Sequence, residues 1–206
     1  MVGVSWAIID DREHYRTLKY IYVAPLNIPF YLFGRAVARV LTGTVSVIIT
    51  IGFGVLFLRL PFDAATVHWP MLFAALLLGV CALALMGLIL AAVTLTIVHH
   101  EGFVGEATAA ALFLFSGAIF PLEVLPAAVR WIGFALPVTY WLELIRRAIL
   151  GPLAGAFPTL AGWSNGQLFA ILGAMTVAMG VISIFAFRAC DRIARERGLI
   201  DWTTQY

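Results

Sequence analysis

The fold is decided by residues 71–98, which run MLFAALLLGVCALALMGLILAAVTLTIV and contain no charged side chain. A helix needs about 20 mostly apolar residues to cross the hydrocarbon core of a bilayer, and this stretch exceeds that length. The whole chain of 206 residues is 63% hydrophobic and 12% charged, with a mean hydropathy of +1.00. Soluble domains are about 25% charged, and disordered chains combine low hydrophobicity with high charge. The composition therefore predicts an integral membrane protein and excludes both of those classes.

Three further apolar segments accompany this stretch, at 36–59, 107–121 and 167–188. The segment 107–121 is short and ends at Pro121, so we do not expect it to cross the membrane as a simple rod. We predict an all-α integral membrane protein, built as a single transmembrane domain with about four membrane helices and a tail over 189–206. Lys and Arg gather before 36–59 and after 167–188, and the positive-inside rule therefore places both regions in the cytoplasm.

Residues 10–23 predict a short amphipathic helix on the cytoplasmic side. Asp10 and Glu13 have the spacing of a capping box at the start of a helix. One face of that helix would carry Tyr15, Leu18 and Tyr22. From this periodicity alone, the segment is a solvated connector or an interfacial helix.

Residues 122–151 are cut into short pieces by prolines and lie on the outer side of the predicted topology. We expect two short helices that dip into the outer leaflet, the second of them capped by Thr139. On that second helix, Glu143 can pair with Arg146 or Arg147. Broken backbone at membrane depth is tolerated only where protein or a watery cavity covers it. The prolines are Pro121, Pro126 and Pro137.

No catalytic centre is predicted on this chain. A P-loop needs a lysine that follows a glycine and precedes Ser or Thr, whereas the single lysine, Lys19, follows Arg16-Thr17-Leu18. The two cysteines, Cys81 and Cys190, give neither a disulfide framework nor a metal spacing, and we interpret them as buried bystander thiols. A net charge of +2 without a basic stripe does not indicate a nucleic-acid partner.

A metal site around His99, His100 and Glu101, with Glu106 nearby, is the main alternative from another functional class. It would make the chain an intramembrane metalloenzyme. Zinc needs three or four converging ligands, while adjacent histidines on a helix point about 100° apart. We therefore favour a cytoplasmic loop, or a polar hinge, with no metal and no cofactor.

Two stretches resemble the ABC-2 type permease family, the membrane subunits of a class of ATP-driven exporters. The first, Asp10 to Leu18 followed by Ala24-Pro25-Leu26, is similar to the family's cytoplasmic segment. The second resembles the family's C-terminal signature and is the more specific, because separated elements keep the family's order and spacing. It comprises Phe115-Ser116-Gly117-Ala118-Ile119-Phe120-Pro121-Leu122-Glu123, Leu125-Pro126, Leu136-Pro137, Thr139, and Arg146-Arg147-Ala148-Ile149-Leu150-Gly151.

The resemblance implies a role for three sets of residues. The cytoplasmic helix would be a coupling helix seated in a groove of a separate ATPase, through Asp11, Arg12, Glu13, His14, Tyr15, Arg16, Thr17 and Leu18. The outer helices would be a re-entrant pair that caps the pathway and includes Pro121, Glu123, Pro126, Pro137, Thr139, Glu143, Arg146 and Arg147. The residues expected to line the pathway are Phe113, Phe115, Ser116 and Phe120.

The resemblance also implies the setting in which the chain works. We expect a multi-pass permease in a bacterial or archaeal cytoplasmic membrane, paired with a second permease copy and surrounded by lipids. ATP and Mg²⁺ would bind the partner ATPase, and the cargo would be amphipathic or lipid-like, such as a drug, lipid or glycan. Family members resemble six-span proteins, and only Met1 to Ile9 precede the coupling segment here. We therefore expect a truncated form, with a natural short form and a non-transporting assembly subunit as the alternatives.

Overall fold

The computed structural model describes residue 11 and the ranges 20–21, 28–58, 65–96 and 101–198. The regular elements in these ranges are all helical, and the described part of the chain contains no strand, which confirms the all-α prediction. In chain order the α-helices are α1 (Ile28–Leu58), α2 (Trp69–Thr96), α3 (Glu101–Phe115), α4 (Ala127–Phe134), α5 (Pro137–Leu150) and α6 (Asn165–Glu196). Short 3₁₀ helices at Leu122–Val124 and Gly151–Ala156 precede α4 and follow α5.

Within the described ranges, α2 and α6 are the two helices long and apolar enough to cross a membrane. Their 28 and 32 residues correspond to about 42 and 48 Å at 1.5 Å per residue. Both lengths exceed the ~30 Å hydrocarbon core of a bilayer. The apolar segments in α1 and α3 are shorter, at Thr42–Phe57 and Phe103–Phe115. A crossing by α1 stays a prediction, as does the expectation that the segment 107–121 does not cross as a simple rod.

Helix α3 differs in its bounds from the predicted segment 107–121, because it begins at Glu101 and ends at Phe115. A turn at Ser116 and Gly117 ends it, and Gly117 has a φ of +74°. Glycine adopts this left-handed conformation without the steric cost that a Cβ would impose. The 15 residues of α3 are about 22 Å long, shorter than the ~30 Å hydrocarbon core of a bilayer.

Helix α6 continues to Glu196, past the limit of 188 that hydropathy predicted. Ion pairs one helical turn apart support the extra residues: Arg195 bonds Asp191 at 3.0 Å and Arg192 bonds Glu196 at 2.7 Å. Such i, i+4 pairs stabilise an exposed helix. The first part of the predicted tail is therefore a continuation of the membrane helix.

The core lies where α5 packs against the N-terminal halves of α2 and α6. Leu144 of α5 and Leu168 and Leu172 of α6 are fully buried there. The same cluster contains Ala75, Ala82, Tyr140 and Leu160. Further along the two long helices, a Cβ built on Gly180 would lie 3.7 Å from Leu85 Cδ1. Helices α2 and α6 therefore run parallel, with both N-terminal ends on the side where α5 packs.

A close approach between a glycine and a ring joins α2 to α5. A Cβ added to Gly79 would lie 2.0 Å from Cδ1 and Nε1 of Trp141, so the indole occupies the space that any other residue would need. At the end of α5, the backbone N–H of His68 donates to the carbonyl of Ala148 at 2.8 Å. These two contacts fix α5 against the start of α2.

Candidate functional site

The candidate site is built around α4, α5 and the loop to α6, residues 121–164, which we call the α4–α5 element. Two prolines begin its helices: Pro121 precedes the first 3₁₀ turn and Pro126 precedes α4, each with extended backbone. Pro137 is the first residue of α5, a position where its missing N–H costs no hydrogen bond. The prolines that were expected to divide the segment therefore start the helices of this element.

Thr139 does not cap α5 as the sequence suggested, since the N-cap is Leu136 and Thr139 lies inside the helix. The Thr139 hydroxyl, which is 2% exposed, donates instead to the carbonyl of Gly133 at 2.6 Å. Beside it, the Tyr140 hydroxyl donates to the carbonyl of Phe134 at 2.9 Å. Pro137 occupies the start of the helix, so these side chains are left to satisfy the C-terminal carbonyls of α4.

Glu143 is the buried charge at the centre of the element, with 2% of its side chain exposed. Arg147 Nε donates to Glu143 Oε1 at 2.8 Å, one turn further along α5. The other carboxylate oxygen lies 3.6 Å from Arg146 Nη1. A buried carboxylate is tolerated when it is paired in this way, and the i, i+3 and i, i+4 spacing had indicated both partners.

Arg147 also holds the loop that leads into α6. Its Nη1 donates to the carbonyl of Trp163 at 2.6 Å and to Asn165 Oδ1 at 2.9 Å. Its Nη2 donates to the carbonyl of Leu160 at 2.7 Å. Leu160 has a φ of +62°, a strained conformation for a leucine, and this hydrogen bond holds it in place. The guanidinium therefore binds two carbonyls of this loop and the first residue of α6.

Arg146 connects α5 to the end of α3. Its Nη2 donates to the carbonyl of Gly117. The guanidinium carbon lies 4.3 Å from the centre of the Phe157 ring, a cation–π distance. One arginine thus ties the turn after α3, the helix α5 and the loop after it into one unit.

Glu123 and Arg130 organise the chain between α3 and α4. The hydroxyl of Thr159 donates to Glu123 Oε2 at 2.6 Å and accepts from the backbone N–H of Leu122 at 3.1 Å. Arg130 Nη2 donates to the carbonyls of Glu123 and Leu125 at 3.0 and 3.1 Å. The side chains of Glu123, Arg130 and Thr159 therefore bond to backbone or to one another, an arrangement suited to holding a shape.

The four residues expected to line the pathway differ in exposure. Phe113 is 60% exposed on α3, whereas Phe115 and Phe120 are partly buried. Ser116 is 2% exposed and its backbone N–H donates to the carbonyl of Leu112. Within one copy of the chain, Phe113 is thus available to a pathway and Ser116 belongs to the turn that ends α3.

Of the predicted coupling residues the structure describes only Asp11, and it is 4% exposed. Arg12, Glu13, His14, Tyr15, Arg16, Thr17 and Leu18 lie outside the described residues. The Asp11 carboxylate accepts a hydrogen bond from the hydroxyl of Tyr31 at 2.6 Å and one from Arg35 Nη2 at 3.3 Å. Burial and the neighbouring Asp11 raise the pKa of the Tyr31 phenol to about 12, although Arg35 opposes the shift.

The alternative metal site is only partly covered by the structure. His99 and His100 lie outside the described residues, as does the side chain of Glu101, while Glu106 is exposed on α3. Among the described residues, no group of three or more His, Cys, Asp or Glu side chains lies close enough to hold a metal ion. The described thiols, Cys81 and Cys190, are free and partly buried.

Sequence reasoning missed the long-range contacts of this site. The carbonyl contacts of Arg147 join residues that are distant along the chain, and no local pattern predicts them. The sequence did contain a signal for the contact of Tyr31 and Arg35 with Asp11, because the i, i+4 spacing of Tyr31 and Arg35 places two hydrogen-bond donors on one face of α1. That face points to Asp11, a contact that the amphipathic pattern of residues 10–23 did not indicate.

Comparison with known proteins gives one match. The sequence profile described as ABC-2 type transporter matches residues 8–150, which include the predicted coupling segment, α1 to α5 and the buried Glu143. No curated protein and no solved structure matches the chain.

Proposed function

The chain belongs to the ABC-2 type transporter family, and on that premise we propose that it is the permease subunit of an ATP-driven exporter of amphipathic or lipid-like molecules. The family match covers residues 8–150 of a 206-residue chain, and it is the observation that carries the proposal. Two apolar helices, α2 and α6, are long enough to cross a membrane. The chain is thus a membrane protein of the permease class.

Energy would come from a separate ATPase chain that binds ATP and Mg²⁺. The only lysine, Lys19, does not stand in a P-loop sequence, so this chain offers no P-loop site for the nucleotide phosphates. The segment from Asp11 to Leu18 would be the coupling helix, with residues 12–18 seated in a groove of the ATPase. ATP-driven closure of two ATPases would then bias two permease copies between inward-open and outward-open arrangements.

The α4–α5 element would close the outer end of the pathway. Its charges are neutralised internally around Glu143, and Arg147 binds two carbonyls of the loop after α5 and the side chain of Asn165 at the start of α6. Backbone that is broken by turns persists at membrane depth only when its polar groups are satisfied in this way. The element is therefore suited to act as a rigid plug that moves as a body.

The surface that α3 presents supports the proposed cargo class. Phe113 and Leu114 are exposed near the end of α3, at 60% and 43%, and Phe103 at its start is 72% exposed. Between two permease copies these side chains would give a largely apolar wall, which favours amphipathic molecules over inorganic ions. The proposed setting is a bacterial or archaeal cytoplasmic membrane.

Transport in inside-out membrane vesicles tests this function. Cells express the chain together with its P-loop ATPase, and uptake of a panel of amphipathic fluorescent dyes and a fluorescent phospholipid is followed with and without ATP. We expect vanadate-sensitive uptake of at least one probe, lost in the variant Glu13→Ala/Arg16→Ala/Leu18→Ala. Equal uptake in vesicles that contain the ATPase but lack this chain would contradict the proposal.

A further inference from the structure

Asp11 is a buried carboxylate that bonds to the N-terminal end of α1. Its side chain is 5% exposed and accepts the Tyr31 hydroxyl at 2.6 Å. That distance is characteristic of a charge-assisted O–H···O⁻ hydrogen bond, which is about twice as strong as a neutral one. Arg35 Nη2 lies 3.3 Å from the other carboxylate oxygen, so each oxygen of Asp11 has a donor on α1.

Helix α1 presents these two donors as a fork. Tyr31 and Arg35 are four residues apart and share a face of the helix, and the Arg35 guanidinium carbon lies 5.8 Å from the centre of the Tyr31 ring. The side chains therefore support one another as well as Asp11. Tyr31 and Arg35 lie 20 and 24 residues along the chain from Asp11, so the contact is tertiary rather than local.

Asp11 and Arg35 differ in exposure, and this difference decides which of them needs the contact. Arg35 retains 35% exposure of its side chain while Asp11 retains 5%. If Asp11 moved without α1, its carboxylate would lose both donors inside a poorly solvated site, which is strongly unfavourable. A displacement of the chain at Asp11 is therefore accompanied by a displacement of the N-terminal end of α1.

We propose that Asp11 is a positioning residue that passes the movement of the coupling segment to α1 through Tyr31 and Arg35. The inference rests on the proposed function, because it takes residues 12–18 to be the segment that docks on the ATPase. It changes the role of Asp11, which faces α1 instead of the ATPase groove. Energetic coupling between distant sites is carried by such contiguous networks of hydrogen bonds and packed helices.

The test measures how ATP changes the outer side of the assembled complex. In a background with Cys81→Ala and Cys190→Ala, the exposed Trp131 is replaced by cysteine, and its reaction rate with an impermeant maleimide is compared with and without ATP. Asp11→Asn and Tyr31→Phe are purified as complexes with the ATPase. Glu196→Gln, which likewise turns a carboxylate into an amide but in an exposed pair at the end of α6, is the matched control.

We expect ATP to change the labelling rate at least threefold in the parent complex and in Glu196→Gln. In Asp11→Asn and Tyr31→Phe the ATPase should still co-purify, while the ATP-dependent change falls below 1.5-fold. Asp11→Glu, which keeps the charge, should restore part of the response. A purely structural role would lower thermal stability without this selective loss.

The outcomes separate the two claims. If the parent chain recovers no ATPase, the proposed function fails and this inference fails with it. If Asp11→Asn or Tyr31→Phe assembles with the ATPase and keeps the full ATP-dependent change, the inference is overturned while the proposed function stands. Tyr31→Phe keeps the test decisive if Asp11→Asn does not fold.

Discussion

Arg147 donates to Glu143 at 2.8 Å, and Glu143, with 2% exposure, is one of two buried charged side chains in the described part of the protein, the other being Asp11. The same arginine binds the carbonyls of Leu160 and Trp163. One ion pair thus neutralises a buried charge and fixes the loop that leads into α6. We therefore expect the shape of the α4–α5 element to depend on this pair more than on the exposed ion pairs of α6.

Replacing Glu143 by Gln should destabilise the protein in detergent by about 3 kcal/mol, the low end of the range for breaking a buried ion pair. The substitution leaves the partly buried guanidinium groups of Arg146 and Arg147 without their counter-ion. For a chain of this size such a loss lowers Tm by roughly 6–12 °C. Thermal unfolding followed by tryptophan fluorescence measures it.

Glu196→Gln is the matched control, because it removes the same charge from an exposed i, i+4 pair. The side chains of Arg192 and Glu196 are 80% and 60% exposed. Exposed pairs contribute about 0–1 kcal/mol, so this Tm should stay close to that of the parent. Equal Tm values for the two variants would show that Glu143 has no special structural weight.

Gly79→Ala should weaken the contact between α2 and α5. The new methyl group would lie 2.0 Å from two atoms of the Trp141 indole, and overpacking of this kind costs about 1–3 kcal/mol. Gly173→Ala in α6, where nothing lies within 4 Å of the new Cβ, should instead be neutral or gain up to about 1 kcal/mol from helix propensity. Thermal unfolding of both variants checks the difference.

A second substitution, at Trp141, tests whether overlap with the indole causes the loss of stability in Gly79→Ala. Trp141→Leu frees the space above Gly79, so the double variant should be less destabilised than the sum of the single variants. Strict additivity would mean that the ring does not respond to the new methyl group.

The Tyr31 phenol should ionise at a higher pH than an ordinary tyrosine. Burial and then Asp11 raise its pKa from 10.0 to about 12, and Tyr31 precedes the predicted membrane segment 36–59. Because the folded-state pKa is the higher one, the neutral phenol stabilises the folded protein below pH 10, and this contribution is lost as the pH rises from about 10 to 12. An ultraviolet difference titration of the parent minus Tyr31→Phe should show one late step. A step at the ordinary pKa of 10.0 would rule out the buried contact with Asp11.

Cysteines placed at the two ends of the molecule test the orientation. In a background without Cys81 and Cys190, Trp131→Cys on α4 should react with an impermeant maleimide added outside intact cells. Arg192→Cys, at the far end of α6, should react only after the cells are opened. Labelling of the α4 site from the cytoplasm alone would reverse the proposed topology.

The sequence sufficed for the long helices and for part of the site. Apolar length alone identified α2, and the spacing of Glu143 to Arg146 and Arg147 indicated their pairing. The predicted end of α3 at residue 121 differs from the observed one, because the chain turns at Gly117, before Pro121. Helix α6 is longer than hydropathy predicted, and ion pairs stabilise its last turns beyond the apolar segment. The bonds from Arg147 to Leu160 and from Asp11 to Tyr31 depend on how distant segments pack, which local patterns do not encode.

Recovery of an ATPase with the purified chain tests the central claim most directly. The parent and the variant Glu13→Ala/Arg16→Ala/Leu18→Ala are each co-expressed with the ATPase, purified through a tag on this chain, and assayed for bound ATPase and for Tm. We predict near-stoichiometric recovery with the parent and at least a tenfold loss with the variant at unchanged Tm. Equal recovery with both proteins, or none with the parent, would contradict the account of this chain as the permease subunit of a two-component exporter.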